Sequence, residues 1–502
     1  MSNKDKLDRF RTLESSIVRQ GCTSPKEADR LSARGRLQLL FDDCKYEEFG
    51  LLVKHRSTTF GMQNRDIAAE GVVTVFGKVG GRPVVAISED YSSMAGTFGE
   101  YHGKKFIRAI DLALEVGCPV VTFNESAGLR LQEGIDALEC YGALFRKVVE
   151  ASGVIPQISL LMGSCFGGQA YYPVCQDFII QVSEYGLLGI AGPEFVKQQT
   201  GEVVTAEKLG SERMHFSITG QSHFLAGYDK DAIDCLKLLL SYLPSSNRET
   251  SLRVELDTQI KSNQLFLDSI LPEDTKRPFS MSSILDTVFD SPLLEVQAGF
   301  ANNCIIGFGR LEGRVVGILA NNSEHYYGVI DVDASDKMAR FIRFCDAFNI
   351  PLISFHDCPG YMIGLDQESK GILRHGAKLL FAWAECTVPC IAVVVRKSYA
   401  GAHFGMLNKS IGADYVLAWP TAVVAPVGAK TATKFLFKAT DSTDIEAYKE
   451  EYETPYKSAE RGFIDGIILP SETRSSLVKI LNFLENKKST NKYSKEHSNC
   501  PT

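Results

Sequence analysis

Two short stretches of this sequence hold residue types suited to acyl chemistry. GSCFGGQ at 163–169 follows the apolar run Ile158–Met162, and RKSYAGA at 396–402 follows Ile391–Val395. In the first, Gly163, Cys165 and Gly167 are spaced G-x-C-x-G, like a nucleophile elbow with cysteine in place of serine. A cysteine hydrolase would also need a histidine and an acid. His215 and His223 are candidates, but their spacing specifies no triad. The two stretches share something else: an aromatic residue, a small residue and a glycine, Phe166-Gly167-Gly168 and Tyr399-Ala400-Gly401. Cys165 has Ser398 as its counterpart and Gly163 has Arg396, so the backbone shape recurs and the thiol does not. N–H groups at a helix start stabilise an anion or a developing oxyanion. A thioester carbonyl that loses an α-proton becomes an enolate and needs such donors, and two turns suggest two carbonyl-bearing reactants. Glycines there equally permit tight helix–strand packing, and both readings stand at this point. Phosphate loops do not fit, since neither G-x-x-x-x-G-K-[ST] nor a helix-opening G-x-G-x-x-G after a first strand is present.

The turns occupy equivalent places in a chain written twice. Phe76-Gly77 with Gly81-Arg82 recurs as Phe308-Gly309 with Gly313-Arg314, an offset of 232. FIRAID at 106–111 recurs as FIRFCD at 341–346 with offset 235, and Pro156 and Gly168 recur as Pro389 and Gly401 with offset 233. LLGIAGP at 187–193 pairs more loosely with VVAPVGA at 423–429. Val84–Ser88, Val120–Asn124 and Ile158–Met162 read as strands, answered by Val315–Ala320, Leu352–His356 and Ile391–Val395. Lys104–Val116 and Lys337–Phe348 carry apolar residues at helical spacing. Such alternation implies crossover helices between strands buried on both faces. The expected organisation is a polar helical arm at 1–70, a domain at 71–250, a linker at 251–280, a second domain at 281–485 and a disordered lysine-rich tail at 486–502.

Composition excludes several classes. A chain of 502 residues is too long for one ordinary core. Its net charge is −7, with 54 basic against 61 acidic residues and no basic block, which argues against nucleic acid or an anionic membrane as partner. The charged start has no apolar signal region, and no window approaches a membrane span. Thirteen cysteines are scattered without a C-x-x-C pair, so free thiols in a reducing, cytoplasmic compartment are expected, with no zinc ribbon and no metal site.

Longer motifs carry a resemblance. LSARGRLQLLFD at 31–42, ESAGLRLQEG at 125–134 and LGSERMHFSITGQSHF at 209–224 fall in the first half. ARFIRFCDAFNIPLISFHDCPGY at 339–361, RHGAKLL at 374–380, AWPTA at 418–422 and ERGFIDGIILPSETR at 460–474 follow in the second. In type and order they resemble the carboxyltransferase β-subunits of biotin-dependent acyl-CoA carboxylases and decarboxylases, over residues 30–485. The resemblance implies an α/β fold of two homologous crotonase-like domains in tandem, each a ββα superhelix (the ClpP/crotonase type). It implies carboxyl transfer between N1-carboxybiotin and the α (or vinylogous γ) carbon of a coenzyme A thioester. The biotin nitrogen would remove the substrate's α-proton.

Gly167-Gly168 match the family's acyl-CoA oxyanion hole, and Gly401-Ala402 its biotin ureido hole. Ala127 and Gly128 lie in the first loop of the acyl site, and Phe404 stands at the position associated with acyl selection. Arg130 is a candidate for CoA phosphate, as is Arg396-Lys397, while His403, His215 and His223 read as packed structural residues. No biotinylation motif or ATP loop is present, so biotin carboxylase and the biotin carboxyl carrier are implied as separate partners. The implied assembly is a homo-oligomer, a hexamer arranged as a trimer of dimers, with active sites shared between chains. Ala127, Leu129 and Ala400 depart from the family's loops and leave the acyl group open. A decarboxylase α-subunit running the same half-reaction backwards and a non-catalytic scaffold are the alternatives.

Overall fold

The computed structural model describes residues 2–20, 30–255, 264–437, 442–487 and 499–501. They form two compact units that divide between Glu249 and Thr250. Most of the tail expected to be disordered, and 256–263 of the expected linker, lie outside the described residues.

In the first unit the strands are β1 (Tyr46–Phe49), β2 (Val72–Val79), β3 (Arg82–Glu89), β4 (Val120–Ser126), β5 (Gln157–Phe166), β6 (Phe178–Val182), β7 (Leu187–Gly189) and β8 (Phe224–Ala226). The sheet runs β1-β2-β3-β4-β5-β6-β8, with β7 paired to the far end of β5. The second unit has β9 (Leu294–Glu295), β10 (Cys304–Leu311), β11 (Arg314–Asn321), β12 (Leu352–Cys358), β13 (Cys390–Tyr399), β14 (Tyr415–Ala418), β15 (Val423–Ala425) and β16 (Gly466–Ile467). Its order, β9-β10-β11-β12-β13-β14-β16 with β15 on β13, repeats the first. β3 to β6 and β11 to β14 are parallel, as their continuous apolar runs require. β2 and β10 are the addition that alternation alone did not reveal, each forming an antiparallel hairpin with the strand that follows.

Each hairpin is held by one carboxylate. Both central residues of the turns lie at positive φ, Gly80 (56°) with Gly81 (77°), and Glu312 (49°) with Gly313 (74°), as a two-residue turn matched to strand twist requires. Asp42 accepts the N–H groups of Gly80 and Gly81 at 3.0 and 2.8 Å, and Asp290 accepts those of Glu312 and Gly313 at 3.1 and 2.7 Å.

The crossover helices Glu100–Val116 and Val332–Ala347 bury Phe106, Ala109, Ile110 and Ala113 in one unit and Met338, Phe341, Ile342 and Cys345 in the other. These positions correspond at an offset of 232, which corrects the FIRAID–FIRFCD match at 235. A slide of three residues is nearly one helical turn and keeps apolar residues on the same face, so periodicity could not distinguish the two registers. A buried lysine fixes the true one. Lys105 Nζ donates to the carbonyls of Ala69 and Val72, and Lys337 Nζ to those of Phe300, Ala301 and Cys304. Burial lowers both ammonium groups, Lys105 to about 7.

The stretch 1–70 is not simply an arm. The helix Ala33–Leu40 buries Leu37 and Leu40, and β1 extends the first sheet at its edge. Parts of 251–280 likewise belong to the second unit: Val315 donates to the Leu252 carbonyl, while Leu267 and Phe279 are buried in its core. The described cysteines are free thiols. Among the described residues no helix is long and apolar enough to cross a membrane.

Candidate active site

Both repeated turns follow the longest strand of their unit, and their hydrogen bonds correspond one for one. After β5, Gly167 (φ 74°) donates its N–H to the Gly189 carbonyl at 3.1 Å, and the helix Gly168–Val174 begins. Ala170 N–H returns to the Gly167 carbonyl at 3.0 Å. After β13, Ala400 (φ 48°) donates to Ala425 at 3.2 Å, and His403 N–H returns to Ala400 at 3.2 Å. Among the described residues, no carbonyl accepts from Gly168 or Gln169 in the first turn, or from Gly401 or Ala402 in the second. Two adjacent free amides at a helix start are oxyanion donors in form. Gly401 and Ala402 are the pair read from the sequence. The first pair shifts by one residue. The Gly167 amide is already engaged, so Gly168 is joined by Gln169, and Gly167 contributes its positive φ.

A tyrosine backs each turn. A Cβ on Gly168 would lie 3.2 Å from the Tyr141 ring, and one on Gly401 would lie 3.3 Å from Tyr361 and 3.4 Å from Phe404 Cζ. Phe404 is 40 % exposed beside the second turn, which suits a residue that meets a ligand. Tyr361, from DCPGY, has a buried hydroxyl without a partner among the described residues. Ala400 holds a left-handed conformation that favours glycine, a local strain at the second turn.

Cys165 does not carry the chemistry. Its thiol is fully buried and donates to the Gln169 carbonyl at 3.3 Å, and burial, with the Glu89 carboxyl nearby, pushes it well above the ordinary thiol range. A nucleophilic cysteine requires the opposite shift. His215 bonds the Leu188 carbonyl (2.7 Å) and Thr219 (3.0 Å), and His223 Nδ1 accepts from Ile179 N–H (3.0 Å). Both order their own loops, and His403 bonds Ser398 at 2.9 Å.

The 125–134 loop packs beside the first turn. Gly128 (φ 99°) lies where a Cβ would approach the Phe166 carbonyl at 3.1 Å, and Phe98 N–H donates to the Gly128 carbonyl at 2.9 Å. Ala127, bonded through its N–H to Ala95 at 3.0 Å, is exposed. Arg130 corrects the phosphate reading. It is 0 % exposed, paired with Glu70 and with Glu133 (2.8 Å), and it donates to the Thr97 carbonyl at 2.8 Å. Arg396 is likewise buried in a two-pronged pair with Asp357 at 3.0 and 2.8 Å. Both arginines are structural.

Gln169, Glu89 and Tyr141 were not singled out in the sequence. Gln169 donates its side-chain amide to Glu89 at 2.5 Å and accepts from the Tyr141 hydroxyl at 3.1 Å. The one signal for Glu89 was an acid closing the apolar run VVAISE.

Comparison with known proteins identifies the family and the fold. The family model for the carboxyl transferase domain matches residues 25–500. The methylmalonyl-CoA decarboxylase subunit alpha of Veillonella parvula is 43 % identical over 475 residues, 94 % of this chain and 93 % of the relative. The carboxyltransferase subunit of propionyl-CoA carboxylase from Haloferax mediterranei is 40 % identical, with 100 % of both chains covered. Transcarboxylase 12S, a hexamer solved with methylmalonyl-CoA and methylmalonic acid bound, superimposes with a TM-score of 0.94 at 38 % identity over 100 % of both chains.

Proposed function

The chain belongs to the carboxyl transferase family, and on that premise we propose that it moves a carboxyl group between biotin on a separate carrier protein and an acyl-CoA thioester. Its two crotonase-like units each contribute one oxyanion turn. The observation that carries the proposal is the pair of equivalent turns with unspent amides, Gly168–Gln169 and Gly401–Ala402. The first pair would donate to the thioester oxygen as the α-proton leaves, and the second would donate to the ureido oxygen of biotin. The narrow cradle at Gly401, where a Cβ would meet Tyr361 at 3.3 Å and Phe404 at 3.4 Å, suits a flat acceptor. Bound there, biotin supplies the transferable carboxyl group and the basic nitrogen. This chain's residues hold and orient: amides polarise, Ala127 and Gly128 border the acyl site, and Phe404 limits its size. The buried Cys165 thiol takes no part.

The relatives are named for propionyl-CoA and methylmalonyl-CoA chemistry, and propionyl and methylmalonyl are the acyl groups proposed here. A carboxylase and a decarboxylase use the same half-reaction in opposite directions. The intact amide pairs argue against a scaffold that has lost activity. The working form is a homo-oligomer, as transcarboxylase 12S is a hexamer, with a neighbouring chain completing each site. The test is a panel of acetyl-, propionyl-, butyryl- and methylcrotonyl-CoA incubated with carboxylated carrier. Propionyl-CoA is expected to take up the carboxyl group fastest. Failure of every acyl-CoA to do so would refute the proposal.

A further inference from the structure

Glu89 ends β3 and is fully buried, and its two carboxyl oxygens reach two different segments. Oε1 accepts the Gln169 side-chain amide at 2.5 Å, and Oε2 accepts the main-chain N–H of Glu125 at 2.8 Å. Gln169 carries one of the free amides of the first turn. Glu125 lies near the end of β4, just before the loop that continues through Ala127 and Gly128 beside that turn. The same Gln169 side chain accepts from Tyr141, whose ring backs Gly168. We propose that Glu89 is a positioning residue that ties the first turn to the 125–130 loop and so sets the direction of the Gly168 and Gln169 amides. The inference rests on the reading of that turn as an oxyanion site.

The protonation of Glu89 is part of this role. Facing it are His102 from the helix Glu100–Val116, Glu125 from β4, Arg36 from the helix Ala33–Leu40, Tyr141 from the helix Ile135–Ala151, Cys165 from β5 and Tyr172 from the helix Gly168–Val174. Arg36 is already engaged by Glu125 and Asp229. His102 Nδ1 lies 3.0 Å from the Glu70 carbonyl, which can only accept, so Nδ1 carries the proton, and Nε2, 3.4 Å from Glu89 Oε1, is unprotonated and makes no hydrogen bond among the described residues. Burial raises the Glu89 carboxyl to about 8 and holds His102 well below its ordinary value. At neutral pH the carboxyl therefore keeps its proton and the imidazole stays neutral. In that form Glu89 anchors both segments without placing an anion behind the turn that must stabilise an enolate. Ionisation above about 8 puts one there.

The test uses the full-length assembled protein with propionyl-CoA and carboxylated carrier. Glu89→Leu removes both anchors, and kcat should fall on the order of tenfold to a hundredfold, as for a catalytic group displaced by about 1 Å, with KM within about threefold. Glu89→Gln keeps the size and stays uncharged, so it carries the test if the leucine variant does not fold. With one accepting oxygen left it keeps one of the two anchors, so at pH 7 it should lose less rate than Glu89→Leu, and it should lose the decline that the parent shows above pH ~8. An unchanged kcat in Glu89→Leu, or an alkaline decline in Glu89→Gln matching the parent, would overturn the proposal. Gly168→Val separates this inference from the one beneath it. Parent-like turnover there refutes the oxyanion reading itself, whereas loss at Gly168 with no effect at Glu89 removes only the positioning role.

Discussion

Replacing Gly168 with valine tests the chemistry of the first turn most directly. A Cβ at this position would sit 3.2, 3.3 and 3.4 Å from three atoms of the Tyr141 ring, so even alanine is crowded and valine adds two further carbons. The ring cannot easily yield. It stacks on Phe98 with centroids 3.8 Å apart and planes 11° apart, and its hydroxyl holds Gln169. The turn must therefore move, carrying the Gly168 amide away from the oxyanion. Loss of one such donor costs about 2.7–4 kcal/mol, roughly 10²–10³ in kcat. Cys165→Ala is the counterpart: it deletes a buried thiol two residues before the positive-φ Gly167. It should cost about 1 kcal/mol of stability while sparing turnover. The assay is steady-state carboxyl transfer to propionyl-CoA on both variants, with folding checked by circular dichroism and thermal melts. The opposite order, with the cysteine variant inactive and the valine variant near the parental rate, would refute the argument and restore a nucleophile.

Phe404→Ile should redistribute kcat/KM among acyl groups by roughly tenfold for a methylene-sized difference; a uniform change across the panel would make Phe404 a packing residue only. Ala400→Gly relieves the left-handed strain at φ 48° and, after the entropy of the added glycine, should raise stability by up to about 1 kcal/mol, read as a higher Tm at unchanged kcat. Arg130→Lys keeps the charge but loses the fork that holds Glu70, Glu133 and Thr97, so Tm should drop while KM for acyl-CoA stays within about twofold; a raised KM at constant Tm would return Arg130 to the phosphate. The raised Glu89 carboxyl also predicts a stability slope. Between pH ~6.5, above which the neutral His102 no longer contributes, and about 8, the folded state keeps a proton that the unfolded chain has released. The Glu89 contribution to stability should therefore fall with rising pH in that window, by up to about 1.4 kcal/mol per pH unit. It is read as the difference between parent and Glu89→Gln, because Lys105, held at about 7 in the fold, adds a slope of opposite sign to both. Chemical denaturation of the two should show that difference, and an equal slope would count against a protonated Glu89.

Much of the fold and the position of the site were legible in the chain itself, because the forces responsible are local. Runs such as Val120–Asn124 and Ile391–Val395 are apolar throughout because both faces of a central parallel strand are buried. The glycine after each of the two long strands marks a backbone where a side chain would be crowded, so type and spacing alone pointed to Gly168 and Gly401 as candidates. What needed the tertiary structure was every feature set by partners far apart in sequence. The Gly167 amide is claimed by Gly189, a strand away, and that single bond moves the first donor pair to Gly168 and Gln169. The helix register of 232 is decided by Lys105 and Lys337 reaching carbonyls more than thirty residues distant, while apolar periodicity permits a one-turn slide. Arg130 looked like a surface cation until Glu70 was placed against it across 60 residues, and Glu89 gained its role only where Gln169 and Glu125 converge on it. Burial patterns are written along the chain because each residue meets its surroundings through its own side chain. Hydrogen-bond partners and proton positions depend on which distant groups the fold brings within 3 Å, and a linear pattern holds no record of that.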